Sequence, residues 1–167
     1  MSNVIETERL SLRRYTPADL DALCEVFSDS YARRFYPEML ARERVLGWIE
    51  WNLRNYEETG FGLWAMEPRG ESRLIGDCGL TYQEVEGRRE LEIGYHLHEA
   101  ERGNGYATEA ARACLAYAFR ELDVPLVCSI VAPENTASCV VAGRVHRNRR
   151  EFVNAGRPAI LFFTERG

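Results

Sequence analysis

The chain has 167 residues and a net charge of −5, with 46% hydrophobic and 28% charged residues. These values predict a single soluble domain over residues 1–167 with one real core. They exclude a membrane helix, which needs a run of roughly 18 apolar residues, and they argue against nucleic acid as the main partner, which requires a cationic face. The N-terminal stretch Met1–Glu6 lacks the basic flank and apolar run of a signal peptide. The five cysteines, Cys24, Cys78, Cys114, Cys128 and Cys139, are odd in number and contain no Cys-x-x-Cys pair. They predict neither a disulfide framework nor a zinc site, but reduced core side chains in a cytoplasmic protein. The run Arg144, Arg147, Arg149, Arg150 is either a solvated face or a landing site for an anionic cofactor.

In chain order, Leu10–Leu12 alternates as a first strand. Thr16-Pro17-Ala18-Asp19 then opens a helix with a capping residue, a proline suited to the first helical position and an acid in the first turn. Leu20, Leu23 and Phe27 form its apolar stripe, and Pro37 interrupts the stretch after it. A second helix is expected from about Glu43 to Thr59, ending at Gly60, with Leu46, Ile49, Leu53 and Tyr56 inward. Trp48 and Trp51 lie off that stripe, either packed on a neighbouring loop, at a dimer contact, or walling a substrate site.

Three strands come next as an antiparallel meander: Phe61–Met66, Leu74–Val85 and, beyond a Glu86-Gly87 turn, Leu91–Leu97. Ala107, Ala110, Ala111, Cys114, Leu115, Ala118, Phe119 and Leu122 recur at helical spacing, and the alanines predict close approach to a sheet. Leu126–Val131 is a strand, Ala137–Val145 a short helix, and two closing strands flank Ala155–Pro158. The strand–turn–helix–strand unit in the middle is a βαβ crossover, whose two strands run parallel.

Glu101–Ala110 joins a strand to the alanine-rich helix. Its two glycines, Gly103 and Gly105, let the backbone pass close to a ligand and aim successive N–H groups into one concavity. The helix start adds its positive dipole end, and together these predict an anion cradle. The chain lacks a Gly-x-x-x-x-Gly-Lys-Ser/Thr run, and Thr108 stands where a dinucleotide fingerprint has its third glycine or alanine.

Arg102, Gly105 and Ala107 fit Arg/Gln-x-x-Gly-x-Gly/Ala. That pattern resembles the coenzyme-A pyrophosphate loop of the GNAT acetyltransferase superfamily. Thr7–Arg13 resembles the opening of the branch that acetylates ribosomal-protein N-termini. Leu74–Leu80 and Leu91–Tyr95 resemble that branch's middle strands, and Pro133–Ser138 its Asn-x-x-Ser turn. The resemblance implies an α/β (α+β) GNAT fold: a mixed, mostly antiparallel sheet with a βαβ acetyl-CoA-binding core and flanking helices. It implies transfer of an acetyl group from acetyl-CoA, as co-substrate and without a metal, to a primary amine by direct attack. The acceptor would be a protein N-terminus, a small-molecule amine or a lysine, and the enzyme a monomer or homodimer.

By the same resemblance, the N–H groups of Gly103, Asn104, Gly105, Tyr106, Ala107 and Thr108, after Arg102, hold the pyrophosphate, with the Thr108 hydroxyl assisting. The backbone of Tyr95, His96 and Leu97 pairs with the pantetheine arm. Asn135 and Ser138 line the thioester end, and Arg144 lies near the cofactor's phosphates. Glu92 is the expected general base and Ser138 a contributor at the leaving group, unless Glu92 is an exposed strand residue in a cross-strand ion pair and Ser138 only a helix cap. Strand alternation places Glu92, His96 and His98 on one face unless a bulge shifts the phase.

Two departures from the superfamily stand out. No tyrosine follows Tyr117, although many members use one in the helix after the Asn turn as an acid. Arg144-Val145-His146-Arg147 stands where the family has Lys-Leu-Gly-Phe. These departures support the alternative of a non-catalytic acyl-CoA-binding or regulatory module.

Overall fold

The computed structural model describes residues 2–167. Eight strands form one sheet in the order β1-β2-β3-β4-β5-β6-β8-β7. They are β1 (Asn3–Glu6), β2 (Leu10–Arg13), β3 (Leu63–Pro68), β4 (Gly76–Val85), β5 (Arg88–Leu97), β6 (Leu126–Val131), β7 (Asn148–Asn154) and β8 (Arg157–Glu165). The helices are α1 (Leu20–Val26), α2 (Ser30–Phe35), α3 (Arg42–Thr59), α4 (Tyr106–Glu121) and α5 (Thr136–Val145). Neighbouring strands are antiparallel except β5 and β6, which run parallel across the α4 crossover.

That one parallel pair shapes the molecule. β5 and β6 are paired only at Leu91↔Val127 and Glu92↔Cys128. Beyond Glu92, β6 stays with β8 while β5 continues to Leu97, so the two strands part like a fork. One edge of Ile93–Leu97 is left without a strand partner.

β4 and β5 keep an unbroken register from Gly76↔Leu97 to Val85↔Arg88, so no bulge shifts the phase. Asp77, Glu92, Gly94 and His96 therefore share the face that α3 covers, where Trp48 reaches Asp77. Cys78, Ile93 and Tyr95 share the other face, where Cys78 meets Cys114 of α4. His98 does not join Glu92 and His96, as alternation alone predicts. β5 ends at Leu97, and the His98 ring accepts the Ala100 N–H at 3.1 Å to start a 3-10 turn.

Two elements were not expected. β1 is four residues long and buries only Ile5, too little for an alternating pattern. α2 is a six-residue helix, capped by Asp29, whose carboxylate accepts the Ala32 N–H at 2.8 Å, and it ends ahead of Pro37.

The inward stripe of α3 also differs from its expected phase. Val45, Ile49, Asn52 and Tyr56 are buried, while Leu46 is exposed. The face that turns inward includes a polar residue, Asn52. Asn52 accepts the Leu63 N–H at 2.8 Å and donates to the Trp48 carbonyl at 3.0 Å. It thereby ties α3 to the first residue of β3. Asn52→Ala should lower stability by about 1–3 kcal/mol, because the Leu63 N–H is left buried and unpaired. Urea unfolding should show a lower midpoint at unchanged m-value.

Candidate active site

The loop between β5 and α4 has the form of an anion cradle. Gly103 and Gly105 adopt φ +84° and +80°, the left-handed region that a side chain disfavours. The first helical hydrogen bond is Glu109 N–H to the Gly105 carbonyl, and none of the N–H groups from Gly103 to Thr108 donates to an acceptor among the described residues. Unpaired donors at the positive end of a 16-residue helix suit a phosphate.

Charged side chains brace this loop from behind. Arg9 donates to the Asn104 carbonyl and to Glu109, both at 2.8 Å, and its guanidinium lies 4.6 Å from the Tyr106 ring centre. Glu109 also accepts the Thr7 hydroxyl at 2.7 Å. Arg102 donates to Asp29 and to the Leu97 carbonyl, both at 3.0 Å, and stacks 4.2 Å from the Tyr31 ring centre. Its guanidinium is thus a clasp between the loop, the end of β5 and α2.

A cavity of about 470 Å³ opens along this loop and the free edge of β5. It brings together Tyr95, His96, Leu97, Arg102, Gly103, Gly105, Tyr106, Ala107, Thr108, Ser138 and Arg144. The side chains of two residues expected at the cofactor also make structural hydrogen bonds. Asn104 is exposed and its side chain donates to the Glu101 carbonyl at 3.1 Å, closing the turn. Asn135 is buried; it accepts from the Tyr31 hydroxyl at 2.7 Å and from the Ser138 N–H at 3.2 Å, so it caps α5 and fixes Ser138. Of the arginine run, only Arg144 faces the cavity; Arg150 pairs with Glu86, Arg149 lies over Phe162, and Arg147 is exposed.

A second cavity, about 220 Å³, lies on the α3 side of the fork. Tyr36, Trp48 and Trp51 wall it, Glu92 sits at its base, and no arginine lines it. Trp48 and Trp51 pack as a tilted pair with ring centres 5.2 Å apart, while the Trp48 indole N–H is anchored on Asp77 at 3.1 Å. The two cavities share three lining residues, Tyr95, His96 and Ser138.

Glu92 sits where the strands part, not in a surface ion pair. Its carboxylate accepts the Ile130 N–H at 2.8 Å, in place of the strand bond lost at the fork. Burial pushes its pKa up to about 7, against the opposing pull of that N–H and of His96. On the opposite side of the junction, Tyr95 Oη donates to the Ser138 carbonyl at 2.8 Å and lies 3.0 Å from Ser138 Oγ. The sequence offered no tyrosine on α5, yet β5 brings one to its first turn.

Residues 9–147 match the family described as acetyltransferase (GNAT) domain. The chain belongs to the GNAT acetyltransferase family. This acetyltransferase is 30% identical over 140 residues to the uncharacterized N-acetyltransferase YoaA of Bacillus subtilis, covering 83% of this chain and 78% of the relative. Its fold matches the crystal structure of an acetyltransferase from Agrobacterium tumefaciens with a TM-score of 0.82 at 25% identity, over 99% of this chain and 95% of the other. It also matches RimL, the ribosomal L7/L12 α-N-protein acetyltransferase in complex with coenzyme A, with a TM-score of 0.78 at 18% identity, over 98% of both chains. The mostly antiparallel open sheet with flanking helices is the GNAT fold.

The departure at Arg144–Arg147 is resolved without glycine in this acetyltransferase. α5 leaves its last turn through His146 in an extended conformation, φ −98°, so no left-handed residue is required. The His146 ring is buried between the Ser129 hydroxyl at 3.0 Å and the Thr164 hydroxyl at 3.2 Å. Burial lowers its pKa to about 4, so it stays neutral at neutral pH.

Proposed function

We propose that residues 1–167 form a single acetyl-CoA-dependent N-acetyltransferase domain acting on a primary amine. One observation carries this reading: a cavity edged by unpaired N–H donors meets a cavity lined by aromatics and a carboxylate, and the two join at Tyr95, His96 and Ser138. The residues of the first cavity fit coenzyme A. Gly103–Thr108 would hold the pyrophosphate with Arg144 beside it, and the free edge of β5 at Tyr95–Leu97 would hold the pantetheine arm. When bound, acetyl-CoA supplies an activated acyl carbonyl at the junction.

The second cavity suits the acceptor. An alkyl amine with a pKa of ~10 arrives as ammonium. Glu92 attracts that charge, and Tyr36, Trp48 and Trp51 wall the space around it. An apolar wall lowers the amine's pKa while burial raises that of Glu92, so proton transfer between them becomes easier. Ser138 and the Tyr95 hydroxyl lie where the thiolate leaves. The non-catalytic alternative drew on the missing α5 tyrosine and glycine; a Tyr95 hydroxyl at the first turn of α5 and an extended His146 at its end support the catalytic reading instead. Five free cysteines suit the reducing cytoplasm.

Thiol release from acetyl-CoA with a panel of small amines, lysine and peptides with free N-termini tests the proposal. Amine-dependent release is expected, and binding of acetyl-CoA without transfer to any class would overturn it. The 21 basic residues are all arginine, so the enzyme presents no lysine amine of its own as background. Trp51→Ala should raise acceptor KM several-fold more than acetyl-CoA KM; equal changes in both would place Trp51 outside the acceptor site. Ser138→Ala should lower kcat on the order of 10-fold, since a thiol of pKa ~8.5 leaves largely unaided. Steady-state kinetics on that variant checks it.

A further inference from the structure

Asp77 is fully buried on β4, and its two oxygens are divided between partners. One accepts the Tyr15 hydroxyl at 2.7 Å and the Trp48 indole N–H at 3.1 Å. The other lies 2.8 Å from His96 Nδ1. A carboxylate there selects the tautomer with the proton on Nδ1, which leaves Nε2 as an acceptor. The His96 ring is boxed by Phe27, Tyr36 and Trp48, with ring centres 5.1, 4.8 and 5.5 Å away. The groups that face it and titrate are Asp77 from β4, Tyr36 ahead of α3, and Glu92 on its own strand; Phe27 and Trp48 carry no charge.

The proton balance asks for more than one acceptor. An ammonium has three N–H bonds and the product amide one, so two protons leave nitrogen. One ends on the coenzyme sulfur and the other in solvent. Glu92 lines only the acceptor cavity, whereas His96 lines both.

We propose that His96, held by Asp77, shuttles a proton from the acceptor nitrogen to the leaving sulfur. This rests on the transferase reading above. Glu92 takes the first proton from the ammonium and releases it to solvent. The neutral amine then attacks the thioester carbonyl, forming the C–N bond. As the C–S bond breaks, the nitrogen gives its second proton to His96 Nε2, and Nε2 passes it to the thiolate. His96 is a catalytic residue in this scheme and Asp77 a positioning residue.

Asp77→Asn is the sharpest test. Trp48 Nε1 can only donate, so the remaining carbonyl oxygen of the substituted side chain stays toward Tyr15 and Trp48. Its amide then donates to His96 Nδ1 and moves the ring proton to Nε2, where the lone pair was needed. A carboxylate-to-amide change of this kind disables an imidazole base without displacing it. Ring ¹⁵N NMR should show Nδ1–H in the native enzyme and Nε2–H in Asp77→Asn. Both Asp77→Asn and His96→Gln should lose kcat by at least about 10²-fold with acetyl-CoA affinity retained. The pH–rate limb assigned to Glu92 should persist in His96→Gln. If the native enzyme is active and both variants keep their kcat, the shuttle is wrong and the acid is the Tyr95–Ser138 pair or water. Should Asp77→Asn fail to fold, His96→Gln alone decides. No transfer by the native enzyme would overturn the transferase reading itself, and the shuttle with it.

Discussion

Glu92→Gln should lower kcat about 10²-fold while leaving acetyl-CoA affinity unchanged, the usual scale for loss of a general base. The substitution keeps the amide oxygen that the Ile130 N–H needs, so the fork at the end of the β5–β6 pairing is preserved. What it removes is the ability to accept a proton. The sign of the pH dependence comes from the raised pKa. With Glu92 at about 7, the ionised, base-competent form is absent well below that pH and gains population as pH rises through it. Native kcat should therefore rise through pH 7, and the limb set by Glu92 should vanish in the variant. Activity should be followed across pH 5.5–9 with the best acceptor from the panel. Full kcat with the same lower limb in Glu92→Gln would place the base elsewhere, or require an amine that enters already neutral.

Gly105→Val should weaken acetyl-CoA binding by at least ~2 kcal/mol, about 30-fold, the scale of several charge-assisted hydrogen bonds. Gly105 sits at φ +80° directly ahead of α4, and a β-branched side chain is strained there. A Cβ itself would meet the Arg9 guanidinium at 3.4 Å, an ordinary contact, so the conflict is with the backbone. Relieving it turns the N–H groups of Gly105–Thr108 away from their common centre. α4 itself should survive, because Ala110, Ala111, Cys114 and Ala118 remain buried. Calorimetry measures the affinity and circular dichroism the fold. Unchanged affinity in a folded Gly105→Val would mean that the cofactor phosphates are held elsewhere.

Much of the site was legible along the chain because its signals are local. Gly103 and Gly105 report backbone freedom that a turn needs, and the alanine spacing of α4 reports a helix close to a sheet. The Asn135–Ser138 spacing resembled the family's turn, and the structure adds that the Asn135 side chain caps α5. The Glu92–His96 face came from a period of two, which the unbroken β4–β5 register preserves. A signal for Asp77 was present as well: a carboxylate within an otherwise apolar and glycine-rich run calls for a partner. The partner itself, His96 across the ladder, is a matter of register that a single strand does not contain.

By itself, then, the sequence determined most element types, the crossover and the glycine-rich turn ahead of α4, since periodicity and glycine placement act over a few neighbouring residues, and its motifs carried the resemblance to the family. Tertiary structure decided what depends on residues far apart in the chain. It brought Tyr95 of β5 to Ser138 of α5, supplying a hydroxyl where α5 has no tyrosine. It buried Asn52 in the α3 stripe, because a strand N–H at Leu63 required an acceptor. It set Asp77 between Tyr15, Trp48 and His96, and placed a half-buried Glu92 at the point where β5 and β6 separate. A buried polar group is stable only when its partners arrive with it, and here those partners come from different strands and helices.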